Sequence, residues 1–150
     1  MMYVLWVAVT RPSLAVDGTV IGDVATAMSA GTWVELPTIN ADVVSASESI
    51  LEFSDEMIWS GATRSAYFIG TSDPNGNDED NKFIEYRAAD NAWQVNPDPP
   101  FFGGVRHAYD HHAIDADNGR IYYRRGGSNN REFWEYDIQM RQWTEKAEVE

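Results

Sequence analysis

Two stretches of the chain carry the same pattern, and this repetition limits the fold more than any other feature. Tyr136-Asp137-Ile138-Gln139-Met140-Arg141-Gln142-Trp143 is echoed by Tyr86-Arg87-Ala88-Ala89-Asp90-Asn91-Ala92-Trp93, and each places a Tyr seven residues before a Trp. Each follows an apolar, alternating stretch: Lys82-Phe83-Ile84-Glu85 in one case, Arg131-Glu132-Phe133-Trp134-Glu135 in the other. Each interposes a polar run with turn chemistry. Gly31-Thr32-Trp33-Val34-Glu35-Leu36-Pro37 matches the Trp end alone. Self-similarity of this kind is the mark of repeated supersecondary units that stack on their neighbours.

The strands follow from composition and punctuation. Runs rich in aromatic and β-branched residues, bounded by Gly, Pro, Asn and Asp, read as short strands. In the first unit these are Ser49 to Ser54 with Met57 to Trp59, then Ser65 to Gly70, Lys82 to Tyr86 and Ala92 to Val95. In the second they are His107 to Ile114, Arg120 to Gly126, Arg131 to Tyr136 and Gln142 to Glu145. Asn118-Gly119 supplies a tight reversal between the first two of these. Thr32 to Leu36 reads as one more strand, ended by Pro37, which cannot donate to a ladder. Helical periodicity is weak, with one short helix expected over Asp23 to Met28. The fold class is therefore all-β. Four antiparallel strands per unit, with Trp33, Trp93 and Trp143 about 60 and then 50 residues apart, describe blades of a β-propeller.

Bulk properties narrow the partners. A net charge of -13 excludes nucleic-acid binding through a broad basic surface, and disfavours docking on anionic membrane. With no cysteine, the chain holds no disulfide, thiolate nucleophile or thiolate metal site. Tyr3-Val4-Leu5-Trp6-Val7-Ala8-Val9 is far too short to span a bilayer. Residues 1–30 form an N-terminal segment with three readings. It is a weak export signal ending near Ser13-Leu14-Ala15, which would place the protein in a secreted or periplasmic setting, or a buried strand, or the result of a start codon assigned in the wrong place.

The residues His112-Ala113-Ile114, Gly119-Arg120-Ile121-Tyr122-Tyr123-Arg124-Arg125-Gly126-Gly127, Tyr136-Asp137 and Trp143 resemble a kelch repeat. Residues 50–93 resemble a weaker copy, in which Tyr67 matches Tyr123, Gly70 matches Gly126 and Thr71 replaces the second Gly. The resemblance covers residues 31–150 and implies a kelch-type β-propeller of about two and a half blades. These are a closing strand at 31–37, a blade at 49–96 and a blade at 105–147. Propellers close with about four or more blades. The resemblance thus implies an incomplete propeller, either a piece of a longer protein or a unit that closes by self-association.

The same resemblance raises galactose-oxidase-like chemistry, in which copper is held by Tyr and His with a Cys crosslinked to one Tyr. Without cysteine that cofactor cannot be made, and no cofactor or catalytic residue is expected in this chain. His107, His111 and His112 lie within six residues. On one extended strand His107 and His111 would share a face, but no converging metal-ligand set is evident. Asp73, Asn75 and Asn77 begin like a calcium loop, yet Asp78 stands where the turn needs Gly. Arg124 and Arg125 call for one solvent-facing side chain and one paired with Glu132 or Glu135. The resemblance implies a non-catalytic module that binds a protein or glycan. The candidate ligand-binding residues are Arg106, His107, Asp110 and His111 at the entry to the inner strand, with Trp59 and Arg64 from the earlier blade. Trp59 would stack on a sugar face. The competing class is a galactose-oxidase-like or glycan-processing enzyme whose catalytic residues lie outside this chain.

Overall fold

The computed structural model describes residues 18–44, 54, 56–70, 81–102, 107–109, 111–125 and 131–147. Its order is α1 (Val20–Ala27), a 3-10 turn (Ala41–Val43), then eight strands. These are β1 (Ile58–Ser60), β2 (Ser65–Gly70), β3 (Lys82–Arg87) and β4 (Ala92–Val95), followed by β5 (His112–Asp115), β6 (Arg120–Arg124), β7 (Phe133–Asp137) and β8 (Gln142–Lys146). They form two four-stranded antiparallel sheets, β1-β2-β3-β4 and β5-β6-β7-β8, each a meander in chain order. The strands expected within the two units recur with bounds shifted by a residue or two, except at the two inner edges. Residues 49–53, the loop at 71–80 and the N-terminal run to residue 17 lie outside the described residues.

The repeat is a structural equivalence. Tyr86 pairs with Trp93 and with Ala66, while Tyr136 pairs with Trp143 and with Ile121. Superposing the two Tyr–Trp pairs therefore puts Ala66 on Ile121 and Tyr67 on Tyr122. The sequence-based match of Tyr67 to Tyr123 is out by one residue, and the match of Gly70 to Gly126 falls with it, since Gly70 corresponds to Arg125. A one-residue slip reverses the face a side chain occupies. Tyr67 and Tyr123 do lie in the same interface, but they enter it from opposite sheets.

That interface is the core. From sheet 1, Ile58, Tyr67, Ile69 and Phe83 point toward sheet 2. Ile121, Tyr123, Tyr136 and Trp143 point back, and Phe101, Phe102 and Ala108 of the connection fill the space between. Phe83 sits edge-on to Tyr136 at 4.9 Å and against Trp143 at 5.3 Å, while Phe101 stacks on Tyr123 at 4.4 Å. Aromatic pairs of this geometry contribute about 0.5–1.5 kcal/mol each beyond the area they bury. The other face of sheet 1 carries a smaller cluster, Phe68 and Ile84, against which Val43, Val44 and Trp93 pack. Sheet 1 is thus a middle layer, and all six residues of β2 are buried. Sheet 2 is an outer layer, and its β6 buries only alternate residues.

The segment before sheet 1 departs from expectation. Thr32 to Leu36 joins no ladder, and Trp33 is 97% exposed. This segment meets the sheet edge further on, where Ile39 bridges Ala92 in parallel and Trp93 N donates to Ile39 O at 2.9 Å. Asn91 Nδ2 holds Pro37 O at 2.9 Å. Both described sheets already have their fourth strand, so no matching edge is left for the Trp33 copy. Helix α1 starts earlier than expected because Thr19 Oγ1 accepts from Gly22 N at 3.0 Å and caps it. Among the described residues no helix is long and apolar enough to cross a membrane.

Four turns of four residues close the hairpins, at 61–64, 88–91, 116–119 and 138–141. Each ends on a residue with positive φ: Arg64 (53°), Asn91 (52°), Gly119 (64°) and Arg141 (55°). The final left-handed residue restores strand pairing after the reversal. The turns are tied in pairs, since Ala88 N donates to Arg64 O at 3.0 Å and, equivalently, Ile138 N donates to Gly119 O at 3.1 Å. Arg64 therefore occupies the place that Gly119 fills in the second sheet. A Cβ at Gly119 would meet open space, so the penalty for a side chain there is conformational alone. Arg64→Gly should raise stability by about 0.5–1 kcal/mol, and Gly119→Ala should lower it by about 1 kcal/mol. Urea unfolding of the two variants checks both signs.

Candidate functional site

The connection from β4 to β5 reaches the second sheet through a short turn. Ala108 and the rings of Phe101 and Phe102 are buried beneath it. His111 N donates to Ala108 O at 3.0 Å, and His111 O accepts from Arg124 N at 2.9 Å. Between them Tyr109 adopts φ 25°, in the left-handed half of conformational space, and its ring stays 37% exposed. The exposed ring of His107 lies 5.1 Å from that of Tyr109. Because Tyr109 interrupts extension, β5 begins only at His112. His107 and His111 do not share a strand face, as a strand from His107 would require.

His112 is the buried histidine of the group. Its Nδ1 lies 3.9 Å from Glu56 Oε2, which places the residues ahead of β1 beside the start of β5. The two inner strands therefore run in the same direction, and their entry ends meet. Arg64, in the turn that closes β1, lies at the opposite end of these strands from His107 and His111. Trp59 is on β1 but pairs with Ala66, on the face of sheet 1 turned away from sheet 2, and it is 50% exposed. Of the residues singled out from sequence, the fold thus gathers His107 and His111 and separates Trp59 and Arg64 from them. Arg106 and Asp110 lie outside the described residues.

Tyr109, Glu56 and His112 complete the local set and were not singled out for binding. Tyr109 carried a signal only as an aromatic in a polar connection, since its backbone geometry cannot be read from composition. Among the described residues no group of three His, Asp or Glu converges as metal ligands. The expectation for the arginine pair matches the geometry: Arg124 is exposed, and Arg125 Nη1 reaches both oxygens of Glu132 at 3.1 and 3.2 Å. A calcium site at 73–81 falls on residues of which only Asn81 is described.

Beneath the turn the polar groups are unevenly satisfied. Tyr67 OH donates to Glu85 Oε1 at 3.4 Å and lies 3.3 Å from Thr63 Oγ1. The equivalent Tyr122 stands opposite the equivalent Glu135 across the β6–β7 ladder. Both sheets therefore repeat a Tyr–Glu pair, for which Glu85-Tyr86 and Glu135-Tyr136 are the sequence signal. Tyr123 differs: its ring is fully buried against Phe101 and near His111, and among the described residues its hydroxyl has no hydrogen-bond partner. His111 Nδ1 is likewise buried with no partner among the described residues.

Burial raises the phenols of Tyr67 and Tyr123 above the ordinary tyrosine range and pushes Tyr136 up to about 12. The sign follows from linkage: a phenol whose folded pKa is raised resists ionisation only in the folded state. Stability should hold below the unfolded value of 10.0 and fall as pH rises from there toward about 12. Thermal melts across that window check it. Tyr123→Phe removes a buried hydroxyl that makes no bond among the described residues, and should raise stability by about 1 kcal/mol. A lowered melting temperature would show that the hydroxyl has a partner. Comparison with protein-family models, with curated proteins and with solved structures finds no match for this chain.

Proposed function

We propose that the chain is a set of kelch-type propeller blades acting as a binding module for a protein or carbohydrate, with the ligand received at the β4–β5 connection. Two features support the architectural half of this reading. The units are equivalent four-stranded meanders with the same cross-strand Tyr–Trp pair. They also pack by unlike faces, as successive blades do around an axis.

The observation that carries the site is Tyr109. A bulky residue at φ 25° is strained, and the ring it presents is exposed beside His107. Strain of this kind persists where the surroundings over-determine it, and it clusters at ligand clamps. Here Ala108 and the two buried Phe rings hold the turn from below, while the rings of His107 and Tyr109 face outward. Tyr and His offer a flat apolar surface with a polar tip, suited to a sugar face or a partner's side chain. Trp59 lies on the far face of sheet 1 and is not part of this site.

The test is a glycan array followed by calorimetry on any glycan retained, alongside capture of protein partners on immobilised chain. His107→Ala and Tyr109→Ala should each weaken the interaction about tenfold, equivalent to about 1.4 kcal/mol, with the melting temperature unchanged. An interaction that survives both substitutions at full strength would place the ligand elsewhere.

A further inference from the structure

The turn between β5 and β6 ends on Asn118-Gly119. An asparagine cyclises when the amide nitrogen of the next residue attacks its Cγ, and a side chain on that next residue hinders the approach. Asn118 alone among the described asparagines precedes a glycine. Asn40, Asn81 and Asn91 precede residues with side chains, and Asn96 precedes Pro97, which has no N–H to give. Asn91 is also locked in place. It is buried, its Oδ1 accepts from Tyr86 OH at 2.7 Å, and its Nδ2 donates to Pro37 O at 2.9 Å. Asn118 is exposed instead, and open space stands where a Cβ on Gly119 would lie.

Two neighbours act on the reacting atoms. Arg120 Nη1 donates to Asn118 O and to Gly119 O, both at 3.2 Å. Asn118 O belongs to the peptide unit whose N–H must ionise, so the guanidinium favours the anion that forms. Ion pairs to Asp137 at 3.0 Å and Glu135 at 3.6 Å hold Arg120 over the turn. Asp115 is the brake. It accepts from Asn118 Nδ2 at 2.7 Å and from Asn118 N at 3.1 Å, and cyclisation waits on release of the side chain. The same bonds hold the Asp115 carboxyl below the usual carboxylate range.

We infer that Asn118 is a deamidation site whose products break the β5–β6 turn. Gly119 N–H gives its proton to hydroxide, and the nitrogen bonds to Asn118 Cγ. The Cγ–Nδ2 bond breaks, and the leaving nitrogen departs as ammonia with a proton from water. Water then opens the cyclic imide at either carbonyl. Opening at Cγ gives aspartate. Opening at the main-chain carbonyl gives isoaspartate, in which the backbone runs through the side chain. Isoaspartate adds a methylene to a reversal of fixed length, on which the bond from Ile138 N to Gly119 O at 3.1 Å depends. Either product removes the Nδ2 donor and sets a second carboxylate against Asp115, where the two repel. The turn lies at the end of β5 away from His107 and Tyr109, so the inference is independent of any ligand there.

Incubation of the full chain in mildly alkaline buffer, followed by peptide mapping with mass spectrometry, tests it. Asn118 should convert ahead of Asn40, Asn81, Asn91 and Asn96, and the melting temperature should fall as it does. Asn75-Gly76, the same dipeptide elsewhere in the chain, is the reference. Asn118→Gln, whose longer side chain must close a larger ring, should keep its own melting temperature through the same incubation. Asp115→Ala should speed conversion at Asn118 severalfold, and Arg120→Gln should slow it. Asn118 that stays intact after Asn75 has converted would overturn the proposal. So would an equal loss of melting temperature in Asn118→Gln. An unchanged rate in Asp115→Ala or Arg120→Gln would overturn the part assigned to that neighbour.

Discussion

The aromatic contact around Phe83 is the interaction on which the structure depends. Neither sheet is self-sufficient, because a four-stranded meander with one apolar face must bury that face against something. Phe83 brings the two together, with Tyr67 on its own sheet and Tyr136 and Trp143 on the other. Phe101 extends the cluster to Tyr123 and Trp134, so the connecting segment is part of the core. The chain between the sheets thereby positions His107 to His111, and the candidate site is set by packing beneath it.

Polar groups are arranged around that cluster in repeated form. On sheet 1, Glu85 accepts from Tyr67 and from Gln94, and Gln94 accepts in turn from Arg87. On sheet 2, Glu135 joins Arg120 and Lys146, and Arg120 also meets Asp137. The same carboxylate position is thus buried in one unit and edged with ion pairs in the other. Exposed ion pairs contribute little to stability, and here they surround the partly exposed rings of Tyr122 and Phe133 on the same sheet face.

Much of the fold was legible in the sequence because the Tyr–Trp repeat reports strand pairing directly: the partners seven residues apart face each other across a hairpin. Strand existence followed for the same reason. Register did not, since Tyr122-Tyr123 offers two adjacent tyrosines to match against Tyr67, and only the ladder distinguishes them. The Trp33 copy misled because a local match says nothing about whether a sheet edge is there to receive it. At the candidate site, sequence proximity grouped the three histidines, but the backbone at Tyr109 divides them between a turn and a strand. Trp59 and Arg64 were placed with them on the assumption that neighbouring units converge. Pairing parity puts Trp59 on the opposite face, and strand direction puts Arg64 at the opposite end.

The four short turns have a consequence for how such a chain can change. They all lie at one end of the sheets, where the hydrogen bonds from Ala88 to Arg64 and from Ile138 to Gly119 tie them together at a fixed length. The longer connections, including the one bearing Tyr109, all lie at the other end, where chain length is not tied to hairpin geometry. The molecule is therefore polarised in its tolerance of insertion. Residues added at one rim would leave strand register undisturbed, while at the opposite rim they would break the four-residue hairpin geometry.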